Sequence, residues 1–269
     1  MSEPIKLGYR IFRFRGEGPA PNFPVVLLRG LGRSSGFWLE FSEKLSLHRE
    51  VICIDLLGTG LSRSTFGRAR IADFAADVAH TLQLLGQTRF DLVGISLGGM
   101  VAIEVAAISG RVHRLAVFAS SSLGHGQTRI YPKALVSLLW SLRKKTPSNA
   151  ELAPYLVSGS TLTQHPELPK KWDALWRQEG FSHLPVLRQL LAAALFRGKA
   201  SLAKLDMPIL FMASKGDSLV PWQNTVKLWE SAKFGQLVLL ENYGHDFPTE
   251  APDEVIAHLC TFLNDSHLE

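Results

Sequence analysis

Short, almost wholly apolar runs recur along the chain, each stopping at glycine or a polar residue. Residues 23–28, 51–54, 90–95, 115–118, 209–212 and 237–240 all have this form, the pattern of strands buried on both faces of a sheet. The opening run from Tyr9 to Arg15 instead alternates apolar with basic residues, the period of a half-exposed strand near a sheet edge. It reads as the second half of an opening antiparallel pair. Between the apolar runs the period lengthens: Ile71, Phe74, Ala75, Val78, Leu82 and Leu85 follow three- and four-residue steps and end at Gly86, which predicts a helix. A last helix, about 251–263, places Val255, Leu259 and Phe262 on one face. Strands alternating with helices predict right-handed crossovers and a mostly parallel sheet covered on both faces, an α/β fold.

The rhythm breaks between Leu123 and Lys204, where helix formers and breakers abound and β-branched strand runs are scarce. An unstructured connection of this length is uncommon in a compact domain, so residues 123–204 are expected to form a helical cap over a core made of residues 1–122 and 205–269. The total of 269 residues suits one core with one such insertion. With 46% apolar and 20% charged residues the chain has a globular balance, which excludes a disordered or collagen-like polymer.

Charge adds a local detail. The formal net charge is +5, yet residues 123–204 alone hold twelve basic and four acidic side chains, so the remainder is acidic. No nucleic-acid motif and no aromatic-threaded basic stripe accompanies the excess, and it reads as a solvated face. Cys53 and Cys260 are too few for a disulfide scaffold and lack zinc-site spacing. Met1-Ser2-Glu3-Pro4 has no basic start followed by an apolar stretch, so no signal peptide is expected, and no run reaches the roughly 18 apolar residues of a membrane span. A soluble, cytoplasmic protein is expected.

The chemistry concentrates in three loops. Gly94-Ile95-Ser96-Leu97-Gly98 stands between a buried strand and a helix. A chain passing from strand to helix through one strained residue needs small neighbours, and the central hydroxyl is then held out at the sheet edge as a nucleophile. A glycine-rich turn with a capping serine is the competing reading. A serine hydroxyl needs a base. His245, in the polar loop after the last apolar run, is the histidine placed to serve; His80 and His258 fall within helical patterns, His48 and His113 flank strands, and His125, His165 and His183 lie in the insertion. The base needs a carboxylate to fix its tautomer, and Asp217 follows the strand ending near Met212, whereas Ala119-Ser120-Ser121-Ser122 after the preceding strand offers none. Asp246 adjoins the histidine too closely to be the first choice. Backbone N–H groups of Leu97 and of the Arg29-Gly30-Leu31-Gly32 loop would hold a developing oxyanion, the second donor being Leu31 with Gly30 as the alternative.

These residues resemble the α/β-hydrolase superfamily, and in particular its cofactor-free serine esterases with a helical cap. The order Ser96, Asp217, His245, the Asp55-Leu56-Leu57-Gly58-Thr59-Gly60-Leu61-Ser62 segment and the terminal Gly244-His245-Asp246-Phe247-Pro248 carry the resemblance over nearly the whole chain. It implies an eight-stranded, mostly parallel sheet with the cap after the sixth strand, no cofactor and no metal. Ser96 separates the chain from branches with an aspartate nucleophile. Arg29 departs from the His-Gly usual in the family; pairing with a nearby carboxylate is expected of it ahead of binding an acidic substrate group. Trp38, Trp140, Trp172 and Trp176, with Phe37, Phe181 and Phe196, are candidates to wall a pocket or simply to pack. The expected substrate is a small or medium, largely apolar carboxylic ester. The same machinery also suits acyl transfer, lactone, thioester or carbon–carbon bond cleavage, and the fold alone suits a small-molecule receptor.

Overall fold

Seven strands, β1 (Tyr9–Phe12), β2 (Val25–Leu28), β3 (Val51–Ile54), β4 (Phe90–Ile95), β5 (Val112–Phe118), β6 (Ile209–Ser214) and β7 (Gly235–Leu240), form one sheet in the order β1-β3-β2-β4-β5-β6-β7. The computed structural model describes residues 3–64, 68–124, 128–144, 148–180 and 182–265; Met1, Ser2, His125 and Phe181, named above, lie outside the described residues. All pairings are parallel except that of edge strand β1 with β3. Among the described residues the sheet therefore has one strand fewer than the family resemblance implies, and β1 has no antiparallel partner preceding it. The reason is local. The segment before β1 gives its N–H groups to side chains: Ile5 to Asp77 Oδ1 at 3.0 Å, Leu7 to Thr81 Oγ1 at 2.8 Å and Gly8 to Ser62 Oγ at 2.7 Å. A backbone satisfied in this way has no ladder to join.

Alternation along the strands builds two cores. Val26, Leu28, Ile52 and Leu92 face one side, while Val25, Leu27, Val51 and Val93 face the other. The first side is covered by α2 (Ile71–Leu84) and α3 (Leu97–Ser109), the second by α1 (Glu40–Leu45) and, near the C-terminus, a helix over Pro252–Asn264. Burial on both faces explains why these strands are apolar throughout.

Between β5 and β6 the described chain is helical: α4 (Pro132–Leu142), α5 (Ala153–Leu156), α6 (Gly159–Gln164), α7 (Leu168–Glu179), α8 (His183–Leu195) and α9 (Lys199–Leu202). Part of it has a small core of its own, in which Ala153, Val157, Leu168 and Trp172 pack with Phe37. After β6 come α10 (Gln223–Trp229), then α11 (Phe247–Glu250) and α12 (Pro252–Asn264).

The sheet order reverses between β2 and β4. Such a switch point opens a crevice at the carboxyl edge of a parallel sheet. The loops after β2, β4, β6 and β7 all leave from that edge, and they carry Arg29 to Leu31, Ser96, Asp217 and His245.

Candidate active site

Ser96 links β4 directly to α3 with φ 58° and ψ −118°, a left-handed conformation that a residue with a side chain adopts at a cost of about 1–3 kcal/mol. Backbone bonds on both sides enforce it: Ser96 N–H donates to Phe118 O at 2.8 Å, and its carbonyl accepts from Gly99 N–H at 3.0 Å and from Ser120 Oγ at 2.9 Å. The flanking glycines are sterically required. A Cβ on Gly94 would run into the Gly98 carbonyl, and one on Gly98 would run into the carbonyl of Leu28. The spacing Gly-x-Ser-x-Gly is thus the condition for this turn to sit against β2.

His245 Nδ1 and Asp217 Oδ2 share a hydrogen bond of 2.7 Å, and both residues are only 4% exposed. The other carboxylate oxygen of Asp217 accepts the N–H groups of Leu219 and Val220, each at 2.8 Å. With its second oxygen occupied, the carboxylate is fixed in orientation, and with it the imidazole. The histidine loop is clamped in turn by the insertion: Asp246 N–H donates to Leu156 O at 2.7 Å, and a Cβ on Gly244 would lie 2.6 Å from Val157 Cα.

The half-buried Ser96 and the ring of His245 line one cavity together with Gly30, Leu31 and Arg33. Its remaining wall is mostly apolar, drawn from Ile95, Leu219 and, from the insertion, Leu138, Leu152, Leu156 and Trp176. Gly30 lies so close that a Cβ there would be 3.3 Å from Ser96 Cβ and 3.8 Å from its Oγ. The N–H of Gly32 is taken by Gln189 Oε1 at 2.9 Å. Leu97 opens α3 immediately after the serine.

The aromatic candidates divide. Trp176 lines the cavity and anchors itself by an indole N–H bond of 3.1 Å to Gly32 O. Trp38 is buried in the core beneath the sheet, with the Arg29 guanidinium 4.7 Å above its ring. Trp172 is buried in the insertion's own core under Arg33 at 4.2 Å, and Trp140 points to solvent. These three do not line the cavity, because packing demand had already claimed two of them and α4 turns the third outward.

Arg29 makes the expected carboxylate pair, and its partner is the residue beside the histidine. Its two terminal nitrogens donate to Asp246 Oδ1 at 2.9 Å and Oδ2 at 2.7 Å, while Arg33 Nη1 stands 3.5 Å from the same carboxylate. Burial pushes the Asp246 carboxyl up, but the Arg29 and Arg33 charges and hydrogen bonding from Arg29 outweigh it and hold the group below the usual carboxylate range. Burial pulls Arg33 down to about 9 against the opposing Asp246 charge. Two cations share one anion here, so the wall of the cavity carries net positive charge. The pair ties the Gly30 loop to the His245 loop across the sheet edge. Sequence reading expected a carboxylate for Arg29 without naming Asp246, and it missed Gln189, which reaches from α8 to Gly32 N–H and to Leu57 O at 3.3 Å; no local pattern announces such contacts.

The Asp55 segment is scaffolding. Its carboxylate accepts Leu61 N–H at 2.7 Å and the N–H of Ser35, and Ser62 Oγ donates to Asp55 O at 2.7 Å. Burial pushes this carboxyl up.

Among known proteins, the chain is 29% identical over 252 residues to "Putative carbamate hydrolase RutD" of Pseudomonas savastanoi, with 89% of this chain and 93% of that protein covered. Two solved structures share the fold. The enol-lactonase of Burkholderia xenovorans LB400 superposes with a TM-score of 0.80 at 20% identity, covering 96% of each chain. The meta-cleavage product hydrolase of Pseudomonas fluorescens IP01 superposes with a TM-score of 0.80 at 22% identity, covering 98% of each. The sequence model of the alpha/beta hydrolase family matches residues 25–258, nearly the whole chain. Fold, site loops and family match together make this chain a hydrolase that belongs to the alpha/beta hydrolase family.

Proposed function

We propose that the protein is a serine hydrolase that cleaves a small to medium, largely apolar carboxylic ester through an acyl-enzyme. The observation that carries the reading is the 2.7 Å bond between His245 Nδ1 and Asp217 beside a cavity that also holds the strained Ser96. With Nδ1 engaged by the carboxylate, Nε2 is the nitrogen left to accept a proton. Ser96 Oγ attacks the ester carbonyl as His245 takes its proton, and Asp217 stabilises the imidazolium. The N–H groups of Leu31 and Leu97 hold the oxyanion, a contribution of about 3–4 kcal/mol to lowering the barrier. His245 then protonates the leaving alcohol, and water attacks the acyl-enzyme by the same proton path in reverse. Helices 123–204 act as the cap, whose leucines and Trp176 select by size and exclude water.

A second reading, cleavage of a carbamate, rests on the 29% identity to the RutD relative and uses the same residues. The test is a screen of nitrophenyl esters of increasing acyl length beside carbamates of matched size, with Ser96→Ala as control and fluorophosphonate labelling of the native chain. Ester turnover and labelling that both vanish in Ser96→Ala support the proposal. Labelling that persists in Ser96→Ala overturns it, and turnover confined to carbamates selects the second reading.

A further inference from the structure

Two long helices between β5 and β6, α4 and α8, are joined at opposite ends. At one end Arg129, just before α4, donates to Ala193 O at 2.6 Å and Ala194 O at 3.0 Å near the close of α8; at the other, His183 Nε2 at the start of α8 meets Lys144 O just past α4 at 2.8 Å. The two helices are thus tied to each other at both ends. Inward, α4 contributes Leu138 to the cavity wall, and Gln189 of α8 holds the Gly32 loop.

The outward side is apolar. On α4, Val136, Leu139 and Trp140 are exposed, Trp140 to 62%. On α8, Leu184, Leu187, Leu191 and Leu195 are exposed, Leu195 to 61%. At 3.6 residues per turn the four leucines fall within an arc of about 80°, a continuous stripe. A helix normally turns such a stripe toward a core, and here the core-facing side of α8 is already filled by Pro185, Val186, Gln189 and Ala192.

Charge identifies the occupant. Residues 128–144 and 182–204, which hold both helices, contain eight Lys and Arg and no Asp or Glu. Lys133 on α4 and Arg143 just past it are exposed, as are Arg197 and Lys199 beyond α8. A second copy docked face to face would set this basic surface against itself. Of the eight basic residues, Lys144 pairs with Glu151; an apolar stripe with a tryptophan, flanked mostly by basic residues, is instead the pattern of helices that lie in the boundary of an anionic bilayer.

We propose that the outer face of α4 and α8 docks on an anionic lipid surface, with the leucines and Trp140 entering the headgroup boundary and the basic side chains meeting lipid phosphates. The surface lies outside the proposed catalytic residues, so the inference stands apart from the ester reading.

The test is co-sedimentation of the full chain with vesicles of phosphatidylcholine alone and of equal parts phosphatidylcholine and phosphatidylglycerol. Binding to the anionic vesicles, at least about tenfold stronger than to the neutral ones and released by high salt, is the expected result. Leu187→Gln with Leu191→Gln, and separately Lys133→Gln with Arg143→Gln, each weaken it about tenfold while the unfolding midpoint stays within 1–2 °C, roughly the effect of exposed substitutions. Equal binding to both vesicle types, no binding to either, or binding unchanged in both paired variants overturns the proposal. So does a concentration-dependent dimer in sedimentation equilibrium that the leucine pair variant abolishes, since the face would then belong to a second copy.

Discussion

Removing the charge of Asp246 while keeping its shape gives the sharpest test of how the site is held. In Asp246→Asn the bidentate bonds from Arg29, at 2.9 and 2.7 Å, lose their anion, and Arg33 at 3.5 Å loses its counter-charge as well. Arg29 and Arg33 are 2% and 7% exposed, so water cannot replace the carboxylate without opening the structure. Breaking a buried pair by removing one partner costs about 3–5 kcal/mol because a charge is left buried and uncompensated. Asparagine keeps one acceptor oxygen, which places the expected loss near the lower end, about 3 kcal/mol. Denaturant unfolding at pH 7 measures it as a fall in midpoint at unchanged slope. The pH dependence supplies a second check with a definite sign. The native Asp246 carboxyl lies below its ordinary range, so its contribution is fully present above the unfolded carboxylate value of about 3.9 and is lost as pH falls through the native value. The gap between wild type and Asp246→Asn therefore begins to narrow below the unfolded value of about 3.9 and closes as pH falls through the lower native value. Replacing both Arg29 and Asp246 by apolar residues of similar volume should cost less than Asp246→Asn alone, because no charge is then stranded within the pair. A variant as stable as wild type at pH 7, or a difference that persists undiminished into acid, would refute the reasoning.

Three further outcomes follow from the geometry. Ser96→Gly should abolish turnover yet raise stability by about 1 kcal/mol in denaturant melts, since glycine accepts the positive φ of 58° without strain. Gly98→Ala should lower stability by about 1–3 kcal/mol in denaturant melts and cut kcat, because the added methyl meets the Leu28 carbonyl and pushes the Ser96 turn away from β2. Cys53, buried with its thiol pushed well up by desolvation, should resist alkylation by iodoacetamide at pH 8 in the folded protein and react once denatured, with mass spectrometry as the readout; rapid labelling of the native chain would contradict its placement in β3.

The positions of the candidate site residues were legible because each sits where a local rule applies. Ser96 needed only its glycines and the change of period around it, and Asp217 and His245 only their positions after apolar strands. The tryptophans followed no such rule: Trp38 and Trp172 entered cores, Trp140 turned outward and Trp176 alone of the four lines the cavity. An aromatic ring packs equally well in a core or a pocket wall, and only its neighbours decide between them. The strand count differed for a related reason, since the segment before β1 was claimed by Asp77, Thr81 and Ser62, side chains distant in sequence.

The amino-acid order by itself determined the alternation of strand and helix, the strained turn at Ser96 and the loops that end the strands, because period and glycine spacing act within a few residues. Only the tertiary structure decided that Asp217 bonds His245, that Arg29 spends its charge on Asp246, and that the leucines of α8 are left exposed. Those outcomes depend on distances between residues 28 to 217 positions apart, which local preference does not set and close packing does.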